Sequence, residues 1–340
     1  MIANTHNTRV ERWLYPNENG LYCAAGDFYI DPHRPVARCI ITHGHADHAR
    51  SGHSHVMATP ETVRVMQVRM GRNAASRFEV LDFGKPYSIA NTEVRLAPAG
   101  HVLGSAQVVI EHQDRRAVIS GDYKRAADPT CQPFEVVQCD VFITEATFGL
   151  PVFRHEPAGK EINRLLHSVA TVPERTHLIG AYSLGKCQRL IALLRHAGYT
   201  RPVWLHGALK TMCELYVELG VELGEFALVS EADDKLAGEI VFCPPSALSD
   251  RWSRRLADPL VVLASGWMRV RGRARQRGVE LPLVISDHAD WPELIQTIRE
   301  TGAKDVWVTH GREEALVRQL NLRGINGRAL ALVGREDESE

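Results

Sequence analysis

Four side chains that can bind a metal ion lie within six residues near the start of the chain. The segment ITHGHADHAR (41–50) contains His43, His45, Asp47 and His48 directly after an apolar run. Imidazole and carboxylate groups together suit Zn²⁺, or Mn²⁺ as a harder alternative. A histidine-rich segment can also be a solvated loop. The preceding apolar run and the density of ligands favour a metal site.

Further ligand-type side chains follow other apolar runs. They are His101 after VRLAP, Asp122 after AVIS, Glu145 after VFIT, His288 after PLVIS and His310 after VWV. A lone histidine is more often a satisfied structural residue than a ligand. Because these residues share a position at the carboxyl end of a predicted strand, we expect them to meet in one site.

Two kinds of sequence pattern indicate which secondary-structure elements position these side chains. Short apolar or alternating runs dominate the first 145 residues and predict β-strands, interrupted by one helix candidate at 60–72. After residue 150, helical patterns alternate with buried strands, which predicts an α/β unit with a partly parallel sheet. From about Leu281 the pattern of the first 145 residues, with short apolar runs that predict β-strands, returns. We therefore expect an α/β protein in which one domain (1–150 and 276–335) is interrupted by an inserted domain (151–275).

The composition argues against several classes of protein. The chain of 340 residues has a net charge of −1, so its bulk charge gives no indication of nucleic-acid binding. Its seven cysteines include no CxxC pair, which favours reduced, mostly buried thiols over a disulfide framework or a thiolate metal site. No apolar signal region and no run near the roughly 18 apolar residues of a membrane span is visible. We therefore expect a cytoplasmic protein with no membrane partner.

The spacing HxHxDH, followed by a Gly-His and a Gly-Asp, resembles the metallo-β-lactamase superfamily over essentially the whole chain. The resemblance implies an αβ/βα sandwich with two divalent metal ions at one edge, Zn²⁺ or Mn²⁺. The inserted segment, the glutamate of TEATFG and the two late histidines look like the β-CASP branch, whose members cleave DNA or RNA phosphodiesters. Segments such as LYCAAGDFYIDP, HVLGSAQ, ITEATFGLP and SDHADWPEL are similar to those of bacterial ligase-associated, Artemis-like DNA exonucleases.

The metal ligands that this resemblance implies fall into two sets. The first set is His43, His45 and His101, the second is Asp47, His48 and His310, and Asp122 bridges the two ions. Either His310 or His288 could complete the ligands of the second ion.

The resemblance also implies roles beside the metal ions. The expected catalytic residues are Asp122, Asp47, Glu145 and His288. His288 would lie near the scissile phosphate as a general acid or transition-state contact, oriented by Glu145. Asp31, after the run FYI, would fix the tautomer of a ligating histidine, and Asp27 is a weaker candidate for that role.

Candidate substrate contacts lie in the insert and next to the predicted metal bridge. Ser183, Gly185 and Lys186 stand at a predicted helix start, where free N–H groups favour a phosphate, or where the same residues merely cap the helix. Five arginines occupy alternate positions, namely Arg269, Arg271, Arg273, Arg275 and Arg277. If that segment is extended, all five face one way and can follow a nucleic-acid backbone; the alternative is a solvated edge strand. Lys124 and Arg125 are further phosphate candidates.

Phosphodiester hydrolysis needs an activated water, neutralised phosphate oxygens and a stabilised leaving alkoxide, and two metal ions can supply all three. The leading hypothesis is a two-metal DNA exonuclease acting on single strands or ends in DNA repair. Its implied partners are DNA, an ATP-dependent DNA ligase and a helicase. A β-CASP ribonuclease is the second hypothesis, because His310 is present as in RNA-cleaving members. A small-molecule metallohydrolase is the third hypothesis, and a metal-free nucleic-acid-binding module is the fourth.

Overall fold

The computed structural model describes residues 10–232 and 236–331, which form a mixed α/β structure with three β-sheets. The α/β class that the sequence predicts is therefore confirmed. Within the described residues, the first compact unit covers 10–127, 132–151 and 291–331. The second covers 128–131, 152–232 and 236–290. The outer ends of the expected domain ranges, residues 1–9 and 332–335, lie outside the described residues.

The chain up to residue 151 forms most of the first unit. Its strands are β1 (Leu14–Asn17), β2 (Gly20–Cys23), β3 (Phe28–Ile30), β4 (Arg38–Ile40), β5 (His53–Ala58), β6 (Ala75–Val80), β7 (Pro86–Ile89), β8 (Thr92–Pro98), β9 (Ala106–His112), β10 (Arg115–Ile119) and β11 (Val141–Ala146). The expected helix is α1 (Pro60–Met70), and Thr59 caps it by accepting a hydrogen bond from the Thr62 amide. Strands β1 to β6 form the first sheet in chain order.

The second unit is an open sheet whose paired strands are all parallel. Its elements are α2 (Ala158–Thr171), β12 (His177–Gly180), α3 (Lys186–His196), β13 (Val203–Leu205), α4 (Gly207–Glu218), β14 (Phe226–Leu228), β15 (Ile240–Cys243), β16 (Leu260–Ala264), α5 (Arg271–Gln276) and β17 (Leu281–Leu283). The strand order is β14-β13-β15-β12-β16-β17. Because β17 pairs with β16, residues 276–290 belong to the second unit and not, as expected, to the closing part of the first domain.

The chain returns to the first unit through α6 (Trp291–Thr301), β18 (Asp305–Gly311), α7 (Glu313–Leu322) and β19 (Asn326–Ala329). Strands β18 and β19 complete a seven-stranded sheet of order β19-β18-β11-β10-β9-β8-β7. One buried core joins residues of the first sheet, such as Phe28 and Ile40, to residues of the second, such as Val108 and Trp307. The two sheets therefore pack against each other across apolar side chains, whose burial is the main stabilising contribution.

The cysteines are reduced and mostly buried, as the composition predicts. All seven cysteines are free thiols, and five of them are buried. Among the described residues, helices are too short or too polar to cross a bilayer.

Candidate metal centre

Four strands of the seven-stranded sheet bring their carboxyl ends to one edge. Strands β8 and β10 are both antiparallel to β9, while β11 and β18 continue parallel to β10, so all four point the same way. His101 follows β8, Asp122 follows β10, and His310 lies at the end of β18. Strand β4 of the other sheet leads into the loop 41–50. These elements bring ligand-type side chains from distant parts of the sequence together.

The first donor group consists of His43, His45, His101 and Asp122, and is called the three-histidine group below. His45 Nδ1 lies 3.1 Å from His43 Nε2 and 3.0 Å from His101 Nε2. Asp122 Oδ2 lies 3.5 Å from His43 Nε2 and 3.8 Å from His101 Nε2. Ligands at about 2.05 Å around a tetrahedral Zn²⁺ ion are separated by roughly 3.3 Å. The donor atoms are therefore spaced as one ion requires.

The second donor group consists of Asp47, His48 and Asp122, and is called the aspartate–histidine group below. His48 Nε2 lies 3.3 Å from Asp47 Oδ2 and 3.4 Å from Asp122 Oδ2. Asp122 thus contributes the same oxygen to both groups. The larger share of carboxylate oxygen in this second group fits Zn²⁺ or the harder Mn²⁺.

Asp31 fixes the orientation of His48 from the side away from the donor groups. Its Oδ2 lies 2.7 Å from His48 Nδ1, which leaves Nε2 directed to Asp47 and Asp122. The Thr42 hydroxyl donates to Asp31 Oδ2 at 2.6 Å, and the Thr42 amide donates to Asp31 Oδ1 at 2.7 Å. A carboxylate behind a ligating imidazole sets its tautomer in this way. Sequence reasoning missed Thr42, for which the only available signal was its position beside His43.

The pKa shifts of His43 and Asp47 favour the forms of these two side chains that bind a metal ion. Burial lowers the pKa of His43 well below its ordinary value, and His48 lowers it further against the opposing effect of Asp122. Burial alone would raise the pKa of Asp47, but the charge and hydrogen bond of His48 lower it well below its usual range. A neutral imidazole and an ionised carboxylate are the forms that coordinate a metal ion.

Two residues hold the chain around Asp122. Gly121 has a φ of +56°, and a Cβ there would lie 2.9 Å from Thr42 Cβ, so the backbone approaches Thr42 closely at this glycine. Glu145 accepts hydrogen bonds from the Tyr123 amide at 2.8 Å and from the Thr147 hydroxyl at 2.5 Å. Within the first unit, Glu145 therefore stabilises the backbone that follows Asp122.

His310 belongs to neither donor group as the side chains stand. Its ring centroid lies 6.3 Å from that of His48, and with Asp122 it lines one small cavity. Its φ is +60°, a left-handed conformation that is uncommon for residues with a side chain. Its buried Nδ1 has no hydrogen-bond partner among the described residues. A place for His310 on the second ion stays a prediction.

His288 lies in the second unit, in the segment after β17. Its amide donates to the Ser286 hydroxyl oxygen at 3.0 Å, and that hydroxyl donates to the His288 carbonyl at 3.1 Å. The role predicted for its side chain stays a prediction.

The predicted phosphate contacts differ in their surroundings. Lys124 lies 3.8 Å from Glu293, and Arg125 pairs with Glu300 at 2.5 Å. The other candidates stand at the start of α3, where Gly185 has a φ of +85° and Ser183 is exposed. Lys186, in contrast, is fully buried. Its ammonium donates to Ile285 O at 2.9 Å and pairs with Asp287 at 3.2 Å.

The arginine-rich segment is helical, so the extended arrangement considered for it is wrong. Residues 266–269 form a 3-10 helix and 271–276 form α5. Arginine has a good helix propensity, and apolar partners that would hold a strand are few in this stretch. Within α5, successive residues are about 100° apart, so alternate positions diverge and only positions three or four apart share a face. Arg273 stacks on the Trp267 ring at 4.0 Å, whereas Arg269 and Arg271 are exposed.

Comparison with known proteins gives two kinds of relative. The chain is 27% identical over 337 residues to a protein of Opitutus terrae named "Probable DNA ligase", which covers 96% of this chain and 32% of that protein. It is 29% identical over 199 residues to "Endoribonuclease YSH1" of Gibberella zeae, covering 55% of this chain and 23% of that protein. Over 148 residues it is 30% identical to "Endoribonuclease ysh-1" of Neurospora crassa, covering 40% of this chain and 17% of that protein. The chain thus spans about a third or less of these relatives, which are named for nucleic-acid enzymes. No protein-family model matches it.

Proposed function

We propose that this chain is a metal-dependent nuclease that hydrolyses phosphodiester bonds of DNA, acting as an exonuclease on single strands or ends. The observation that carries the proposal is the shared carboxylate. Asp122 Oδ2 lies 3.5 Å from His43 Nε2 in one donor group and 3.4 Å from His48 Nε2 in the other. This sharing is suited to a pair of divalent ions, Zn²⁺ or Mn²⁺. In this proposal the first unit is a metallo-β-lactamase domain and the second is a β-CASP insert.

The likeness to a protein named for DNA ligase supports DNA as the substrate. It extends over 96% of this chain but only 32% of the ligase-named protein. An activity that processes DNA ends is a chemically sensible companion of one that joins them. We therefore propose DNA repair as the setting, with an ATP-dependent ligase and a helicase as partners.

Each residue has a defined task in this proposal. When bound, the two ions would activate a water molecule and neutralise charge on the phosphate and the leaving oxygen. The three-histidine group and the aspartate–histidine group would hold one ion each, and Asp31 would keep His48 in the required tautomer. Glu145 keeps the chain after Asp122 in place. His288 donates a proton to the leaving oxygen, and the exposed Arg269 and Arg271 neutralise backbone phosphates.

A ribonuclease is the second candidate, and two observations favour it. Several relatives are named as endoribonucleases. His310, which the family resemblance connects with RNA cleavage, lines a cavity together with Asp122.

The test is cleavage of matched single-stranded DNA and RNA, each labelled at the 5′ or the 3′ end, with Mn²⁺ or Zn²⁺. Asp122→Ala removes the shared carboxylate and is expected to abolish cleavage. Asp82→Ala is the matched control, because the Asp82 side chain, in the same unit, is 46% exposed and pairs with the neighbouring Lys85. Metal content is measured in all three proteins.

Stepwise loss of DNA in the wild type and in Asp82→Ala, but not in Asp122→Ala, supports the proposal. The label released first gives the polarity. Cleavage of RNA alone would transfer the assignment to the ribonuclease. A metal-loaded protein that cleaves neither polymer would reject both, and small-molecule esters and thioesters would be tested next.

A further inference from the structure

Helix α1 contacts both of the loops that supply the three-histidine group. One loop carries His43 and His45, and the other carries His101, more than fifty residues further along the chain. The geometry of this group therefore depends on the relative position of two loops that are distant in sequence. Helix α1, Pro60–Met70, contacts the second loop at its amino-terminal end and the first loop at its carboxyl-terminal end.

The amino-terminal end of α1 holds the loop of His101. The hydroxyls of Thr59 and Thr62, both fully buried, donate to the Gly104 carbonyl at 2.7 and 3.0 Å. Gly104 has a φ of +78°, and a Cβ there would lie 2.8 Å from Thr59 Oγ1, so the first turn of the helix rests directly on the loop. Ser105 Oγ accepts a hydrogen bond from the His101 amide at 3.0 Å. A displacement of Gly104 is thereby transmitted to His101.

The other end of α1 holds the loop of the first two histidines. Arg69, in the last turn, donates from its guanidinium to the Gly44 carbonyl. Gly44 lies between His43 and His45, so this contact acts on the backbone of both ligands. The His45 carbonyl accepts from the Ala49 amide at 2.7 Å, which closes the following turn. The two ends of one helix thus contact the two ligand loops.

We propose that α1 is a positioning element for the three-histidine group, with Thr62 and Arg69 acting through the loops that they contact. This inference rests on the proposed metal dependence. The aspartate–histidine group has a different direct support, because Asp31 Oδ2 lies 2.7 Å from His48 Nδ1. The Thr42 hydroxyl, which donates to Asp31, also lies 3.1 Å from His43 Nδ1, so a change of Asp31 acts on His48 directly and on His43 only through Thr42. Functional groups must be held within about 0.5 Å of their working geometry. Loosening α1 should therefore weaken one metal ion selectively, whereas loosening Asp31 should weaken the other.

The experiment measures release of Zn²⁺ from the loaded protein to a competing chelator. Thr62→Val removes one hydroxyl without changing the shape of the side chain, and Arg69→Ala removes the contact at the opposite, exposed end of the helix. Thr92→Val is the matched control, since Thr92 is also buried and donates to a carbonyl, Ile89 O at 2.7 Å, in the β7–β8 turn. Asp31→Asn identifies the release step of the aspartate–histidine group.

We expect Thr62→Val and Arg69→Ala to weaken retention of one ion by about tenfold, at the lower end of the effect of supporting residues on metal affinity. Of the two Zn²⁺ release steps, the one that these variants accelerate should be the one that Asp31→Asn leaves unchanged. Thr62→Ser, which restores the hydroxyl, should recover retention, and Thr92→Val should release both ions as the wild type does.

Three outcomes would overturn the inference. If both variants retain Zn²⁺ as the wild type does, α1 does not position the ligands, although the proposed function stands. If both release steps weaken equally, the effect is general destabilisation. If Thr62→Val does not fold, Arg69→Ala decides alone by the same criterion. A wild-type protein that binds no Zn²⁺ or Mn²⁺ would overturn the proposed function together with the inference.

Discussion

A buried cluster of charged side chains in the second unit predicts a large loss of stability on a single substitution. Arg189 is 2% exposed, and its Nε lies 3.0 Å from Asp128. Its Nη1 lies 2.9 Å from Asp287 and donates to Ser286 O at 2.8 Å. Burial lowers the pKa of Arg189, but Asp128 and Asp287 more than offset this and raise it above its ordinary value. The guanidinium is therefore charged, and it neutralises two buried carboxylates.

The substitution Arg189→Met keeps the volume but removes the charge. Lys186 still pairs with Asp287 at 3.2 Å, so Asp128 is the carboxylate that is left without its cation. Removing one partner of a buried ion pair costs about 3–5 kcal/mol, because the remaining charge is uncompensated. The matched control is Arg115→Met, since Arg115 is 44% exposed where it pairs with Asp140. An exposed pair contributes about 0.2–1 kcal/mol.

Urea unfolding followed by tryptophan fluorescence measures both free energies of unfolding. We expect the double variant Arg189→Met/Asp128→Asn to be more stable than Arg189→Met alone, because the second change removes the uncompensated charge. The reasoning is refuted if Arg189→Met costs no more than Arg115→Met. It is also refuted if the second substitution adds a further loss, which would mean that shape and not charge decides the stability of the cluster.

Three further predictions concern other parts of the molecule. Arg271→Gln should weaken binding of single-stranded nucleic acid and reduce the slope of log affinity against log salt by about 0.7, measured by fluorescence anisotropy. Gly121→Ala forces a Cβ to within 2.9 Å of Thr42 and should cost about 1–3 kcal/mol in urea unfolding, with lower metal content. Burial lowers the pKa of His177, so below about pH 6.5 the unfolded chain binds a proton that the folded chain does not. The free energy of unfolding therefore falls as the pH drops below about 6.5, by at most about 1.4 kcal/mol per pH unit from this histidine. The variant His177→Gln should remove this part of the pH dependence, measured by urea unfolding at several pH values.

The donor groups were accessible from sequence because each ligand is marked by a local signal, its position directly after an apolar run. A ligand that directly follows an apolar run inherits its position from the end of a strand, and parallel strands bring those ends to one edge. The structure does bring His43, His45 and His101 together around Asp122, with Asp47 and His48 beside it. The helix at 60–72 was equally local, since Thr59, Pro60 and Glu61 are the signals of a helix start.

The boundary of the second unit depends on a contact that no local pattern contains. The run LPLVIS indicates a strand, but its residues do not specify which sheet the strand joins. Pairing of β17 with β16 places it in the parallel sheet, and the chain returns to the first unit only at Trp291. Strand pairing of this kind is decided by packing over long sequence separations.

Lys186 shows why the substrate contacts were harder to predict than the metal ligands. A lysine at a helix start suggests an anion site, and its sequence neighbours contain nothing that argues otherwise. Its ammonium is instead bound by Ile285 O and Asp287, about one hundred residues away in sequence. A metal site needs several ligands, and the sequence shows which residues are of a type that can serve as ligands. A phosphate contact needs an uncommitted cation, and whether a cation is committed depends on the residues that the fold places beside it. The exposed Arg269 and Arg271 are therefore better candidates for phosphate contacts than Lys186.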